Sequence, residues 1–99
     1  MGGIIVRYRY SGDEAAWQAV MDNFTSAVRA DDAVRGRFRY VVTVAADGVA
    51  RTHVGRWDSE EILKAVQSRD YFRQFTLAVQ GFAGGQLESS RMTVAAAAD

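Results

Sequence analysis

Apolar positions in this chain recur first with period two, then at helical spacing, and the two rhythms alternate to the end. Ile4 to Tyr10 is β-branched and aromatic, alternates toward its end and is closed by Ser11-Gly12, which predicts a strand. Asp13 then reads as a helix N-cap with Glu14 in the first turn, beside the positive helix end. Trp17, Val20, Met21, Phe24, Ala27 and Val28 follow as one apolar stripe, while Gln18, Asp22 and Arg29 stay off it. Ala30-Asp31-Asp32 ends that helix. Phe38, Tyr40, Val42 and Val44 share one face of a second strand, with Arg37, Arg39, Val41 and Thr43 on the other. Asp47-Gly48 predicts a hairpin with a type I′ turn, in which both central residues take positive φ, and a returning strand over residues 49–57.

Asp58-Ser59-Glu60-Glu61 opens the next helix, with Asp58 or Ser59 as N-cap and Ile62, Leu63 and Val66 facing inward. A break is expected near Ser68-Arg69-Asp70. A second stripe of Tyr71, Phe72, Phe75, Ala78, Val79 and Phe82 follows, stopped by Gly84-Gly85. Leu87 to about Ala95 is the last strand, and residues 96–99 read as a frayed end. The order βαββαβ predicts an α+β fold of the ferredoxin-like kind, a four-stranded antiparallel sheet with helices on one face.

Composition narrows this further. Ninety-nine residues with 48% hydrophobic and 24% charged side chains suit one globular domain spanning residues 1–99. Twelve basic residues balance twelve acidic ones, so no overall field favours nucleic acid or an anionic membrane. The absence of cysteine excludes disulfides, thiolate metal sites and a thiol nucleophile. One histidine and scattered carboxylates supply no metal-ligand spacing, and no Gly-rich phosphate loop is present. No apolar run nears the roughly 18 residues of a membrane span, and no signal-peptide pattern opens the chain, so a cytoplasmic protein is expected.

Helices cover one side of such a sheet only. The other side, about 450 Å² for four strands of this length, leaves residues such as Ile5 and Val41, or their opposite-parity neighbours, in water beside arginine stems. Two such faces packed about a two-fold axis remove both patches, which predicts a homodimer. The alternative is a monomer whose Arg7, Arg9, Arg37 and Arg39 solvate the face.

The stretch from Gly55 to Val66, Gly-Arg-Trp-Asp-Ser-Glu-Glu-Ile-Leu-Lys-Ala-Val, followed by Ser68-Arg69-Asp70-Tyr71-Phe72, resembles the strand-to-helix signature of the antibiotic-biosynthesis-monooxygenase-like, dimeric α+β barrel proteins. Trp57, Ser59, Glu60, Glu61, Leu63, Ala65 and Phe72 fit it in type and spacing. The resemblance implies a dimeric barrel with a pocket between sheet and helices for a small hydrophobic or aromatic molecule, and cofactor-independent chemistry such as oxygenation, isomerisation or cyclisation. It departs from the pattern where the family has a strand Glu (Gly55 here), a helix His (Val66) and a second frequent His (Tyr71). Without the helix His, haem breakdown is not expected.

Individual residues divide between chemistry and packing. His53, with an ordinary pKa near working pH, is the candidate catalytic acid or base, or else a satisfied core histidine. Trp57 and Phe72 are candidate pocket walls, and Tyr8, Tyr40 and Tyr71 offer hydroxyls for a ligand oxygen. Arg51 shares strand parity with His53 and is either a ligand-binding cation or a solvated edge residue. Two functions follow: an enzyme using His53, or a non-catalytic ligand-binding or accessory dimer that has lost the family's polar residues.

Overall fold

The computed structural model describes residues 1–99. Seven elements follow in order: β1 (Gly2–Arg9), α1 (Glu14–Ala30), β2 (Phe38–Val44), β3 (Ala50–Trp57), α2 (Glu60–Gln67), α3 (Asp70–Phe82) and β4 (Glu88–Thr93). All strand pairs are antiparallel, in the sheet order β2-β3-β1-β4 that defines the ferredoxin-like fold. The central pair sets the site, with Val6 opposite His53 and Tyr8 opposite Arg51.

Local chemistry starts and stops these elements. The Asp13 side chain accepts from the Ala16 N–H at 3.1 Å, capping α1, and Ser59 accepts from the Ile62 N–H at 3.3 Å, capping α2. Between them, α1 buries Trp17, Met21, Phe24 and Val28 on a single stripe. The Phe24 ring stacks on Phe75 of α3 at 3.9 Å, so α1 and α3 meet over the sheet. Full burial of each such side chain contributes about 1.5–3 kcal/mol. The expected break falls at Ser68-Arg69, where α2 ends and α3 starts again.

The hairpin forms as expected, but its turn does not. Only Gly48 takes positive φ there, at 75°, so Asp47 excludes type I′. The Gly48 N–H donates to the Ala45 carbonyl at 2.9 Å, a type I turn, and the Asp47 carboxylate accepts from the N–H groups of Val49 and Ala50. That side-chain bond replaces the backbone geometry a two-residue loop needs.

On the open face, Val41 is 54% exposed, while Ile5 and Val54 are half-buried. Arg39 and Arg56, paired across β2 and β3, both meet the Asp99 carboxylate, at 3.8 and 2.7 Å. Residues 96–99 thus carry no regular structure, yet their last side chain rests on the sheet instead of fraying freely. No helix is long and apolar enough to cross a membrane.

Candidate functional site

Between the sheet and the α2–α3 pair lie two adjoining hollows, of about 180 and 120 Å³. They share Ile4 and Val6 of β1, Tyr40 of β2, and Phe75 and Thr76 of α3. Period-two parity aims Ile4, Val6 and Tyr40 at the helices, and the α3 stripe brings Phe75 down onto them. His53 floors the larger hollow; Trp57 and Phe72 wall the smaller. A cavity near 150 Å³ accommodates one benzene ring, so the pair suits one or two fused rings. Two larger clefts lie at opposite ends of the sheet, one beside Met1, Trp57 and Arg91 and the other beside Arg7, Arg51 and Glu88.

The polar groups at the floor form one chain. Trp17 Nε1 donates to the Tyr8 hydroxyl at 2.9 Å. That hydroxyl lies 2.7 Å from His53 Nε2, and the Tyr40 hydroxyl lies 2.8 Å from His53 Nδ1. His53 is 0% exposed. Burial in apolar surroundings depresses its pKa to about 4, so the ring is neutral at pH 7. The same desolvation, with Tyr8 nearby as a lesser cause, raises the Tyr40 phenol well above its ordinary 10 and keeps it protonated. Tyr8 is also raised by burial, against the opposing pull of Trp17 and Arg51.

On the sheet, the Tyr40 ring lies against a residue with no side chain. Gly55 stands directly opposite Tyr40, and a Cβ there would lie 3.0 Å from the Tyr40 ring. A side chain at this position, where the resemblance implies a Glu, would require the Tyr40 ring to give by a few tenths of an ångström. Val66, where the resemblance implies a His, is fully buried in the core.

Of the seven residues expected at a site, His53, Tyr40, Trp57 and Phe72 border the hollows, and Tyr8 supports them from behind. Tyr71 points elsewhere: its hydroxyl donates to Asp31 Oδ2 at 2.7 Å, beside the Arg69–Asp31 ion pair. Burial, then the bond to Asp31, pushes its pKa up to about 12, while Arg69 holds the Asp31 carboxyl below its usual range.

Arg51 corrects the solvated-edge reading. It lies in an inner strand and is 1% exposed, because Glu14 from α1 closes over it. Two 2.7 Å bonds join its Nη1 and Nη2 to the Glu14 carboxylate, and the carbonyls of Tyr10, Gly48 and Val49 take further donors. Its guanidinium also lies 4.3 Å from the centre of the Trp17 ring. Every nitrogen is engaged by the protein itself, which leaves this cation little to offer a ligand of the hollows.

Sequence reasoning assigned Trp17 to the core alone and passed over Ile4, Val6 and Thr76. The signal for the last three was available in strand parity and helix spacing, whereas Trp17 as a donor to Tyr8 needed the packing of α1. Trp57 is buried, stacked on Phe38 and faced by Arg91 at 5.0 Å, and its Nε1–H has no acceptor. No group of three His, Asp or Glu side chains is placed to hold a metal ion.

No family model matches the chain, and no curated protein matches its sequence. Its fold, however, is shared with many solved structures. Rv0793 from Mycobacterium tuberculosis superposes with a TM-score of 0.77 at 19% identity, covering 99% of this chain and 98% of that one. SnoaB, a cofactor-independent oxygenase from Streptomyces nogalater, gives 0.74 at 12% identity over 97% and 94% of the two chains. A Chloroflexus aurantiacus protein carrying the antibiotic biosynthesis monooxygenase name gives 0.73 at 20% identity over 99% and 96%. The fold is therefore that of the antibiotic-biosynthesis-monooxygenase-like proteins, and at these identities the likeness speaks for fold alone.

Proposed function

We propose that the protein binds a small, flat, hydrophobic or aromatic molecule in the two hollows between sheet and helices, and that it works there as a cofactor-independent monooxygenase-like enzyme. One observation carries this reading: an apolar cavity of ring size has a continuous chain of hydroxyl and ring nitrogen groups at its floor. Catalysis gains support from the fold shared with SnoaB, named as an oxygenase that needs no cofactor. In this reading Phe72 and Trp57 hold the ring, and the floor hydroxyls steady charge that develops on a substrate oxygen. A cytoplasmic homodimer joined through the open sheet faces completes it, with Val41 and Ile5 at the seam.

Naphthalene titrated into labelled protein tests the cavity directly. Saturable shifts of the Val6 and Ile4 methyl signals are expected, and Thr76→Phe, which fills both hollows, should abolish them. Absence of binding to the wild type sinks the reading. Native mass spectrometry reads the assembly: two chains are expected, and one chain for Val41→Glu, which buries a charge at the proposed seam.

A non-catalytic ligand-binding or accessory dimer is the second reading. What favours it is specific: Gly55 and Val66 replace the family's polar positions, and neither nitrogen of His53 is free. Oxygen uptake with a bound aromatic substrate separates the two.

A further inference from the structure

We propose that Tyr40 is the polar group that meets the occupant of the cavity, and that a chain running Trp17, Tyr8, His53 fixes its hydroxyl as a donor aimed at that occupant. The inference rests on the reading that the hollows hold a small hydrophobic molecule.

An indole N–H only donates, so at 2.9 Å the Tyr8 oxygen accepts from Trp17. The proton of Tyr8 then needs an acceptor of its own, and the one its hydroxyl meets is His53 Nε2, at 2.7 Å. A neutral imidazole that accepts at Nε2 carries its proton at Nδ1. That proton goes to the Tyr40 oxygen, 2.8 Å away. The hydroxyl proton of Tyr40 cannot return to the same nitrogen and meets no other protein acceptor, while the residue lines both hollows. Its free direction is the cavity.

The opposite tautomer makes Tyr8 accept twice and leaves its own proton without a protein acceptor, in a residue only 5% exposed. An unpaired buried donor costs more than the bond at the other end returns. Burial keeps His53 neutral, which this order of donors requires. Successive donors also polarise one another along such a chain, so Tyr40 donates more strongly than an isolated phenol. His53 thereby becomes a positioning residue, since both its nitrogens face tyrosines. The matching ligand presents an acceptor atom to Tyr40: a carbonyl, ether or phenolate oxygen on its ring system.

His53 is the only histidine, so a long-range proton–nitrogen correlation spectrum of labelled protein contains one imidazole. A neutral ring protonated at Nδ1 is expected at pH 7; protonation at Nε2 overturns the proposal. Binding then separates it from the reading beneath it, with 2-acetylnaphthalene and its hydrocarbon counterpart 2-ethylnaphthalene as probes. In the wild type the ketone's carbonyl stretch should move to lower frequency than in alkane. Tyr40→Phe should return it and weaken the ketone roughly fivefold, leaving the hydrocarbon unchanged. Tyr8→Phe touches neither hollow but releases Nε2, so part of the carbonyl shift should vanish there too. If ketone and hydrocarbon respond alike to Tyr40→Phe, Tyr40 is not the donor although the cavity stands. If neither probe binds, the cavity reading falls and takes this one with it. Should Tyr8→Phe fail to fold, the wild-type tautomer alone decides the direction of the chain.

Discussion

Two buried polar clusters sit two residues apart on β3, and they are built to opposite plans. At Arg51 the network is closed: a guanidinium, a carboxylate from α1 and three backbone carbonyls satisfy one another. At His53 the network is a chain with an end, for Tyr40 accepts from one side and has nothing in the protein to donate to on the other. Charge placed where every partner is internal holds structure together. A donor left over beside an apolar cavity is what ligand recognition requires. The contrast separates anchor from site more sharply than residue type does, since an arginine is the more usual suspect for binding an anionic group.

Removing the anchor should have the largest effect. Arg51→Ala strips three carbonyls of their donors, leaves Glu14 to water and hollows the space under Trp17. A loss of about 3 kcal/mol in urea unfolding is expected, a large share for a domain of this size. A loss below about 1 kcal/mol would mean that Glu14 and Arg51 are merely neighbours. Naphthalene affinity of the folded fraction should stay at the wild-type value, because Arg51 borders neither hollow.

The open-ended cluster has a signature in pH. Folded His53 takes its proton only near pH 4, whereas in the unfolded chain it does so near 6.5. Its contribution is therefore fully present above pH 6.5 and lost as the pH falls toward 4, about 2 kcal/mol of it between pH 7 and 5. Glu14 and Asp31, both held below the usual carboxylate range by arginines, lose their share only at more acidic pH. His53→Leu should flatten the curve between pH 7 and 5 and leave the acid limb. A wild-type curve already flat in that window contradicts a buried neutral imidazole.

Sequence pattern carried the architecture further than the site. Ala50–Trp57 shows why: burial alternates strictly along it, with Arg51, His53, Gly55 and Trp57 inward, so period two alone assigns its faces. Parity likewise put His53, Tyr40 and Trp57 on the helix side, which is where they stand. What parity could not supply was the partner of each group. Arg51 has the same parity as His53, but its fate is decided by Glu14, 37 positions earlier, and by the Trp17 ring. Tyr71 was drawn off by Asp31, 40 positions away. At the hairpin, Asp47 chose its turn through a side-chain carboxylate that the Asp-Gly pair alone does not reveal. Each miss is a long-range or side-chain bond overriding a local rule, and each concerns a polar group.

Gly55→Ala offers the smallest change and the finest cut between the clusters. In a strand, replacing glycine by alanine gains about 0.5–1 kcal/mol by restricting the unfolded chain. Here the new methyl would lie 3.0 Å from the Tyr40 ring and 3.3 Å from Ile4, so the ring must give by a few tenths of an ångström. The two effects oppose each other, and net stability should stay within about 1 kcal/mol of wild type. Tyr40 would nonetheless be pushed off line with His53 Nδ1, and the single imidazole signal should move while the Trp17 indole signal, fixed by Tyr8 and Arg51, holds still. Movement of both signals would show that the clusters respond as one unit and dissolve the distinction between them. A still imidazole would mean that the backbone, and not Tyr40, yields to the methyl, and that the missing side chain at position 55 has little to do with where Tyr40 points.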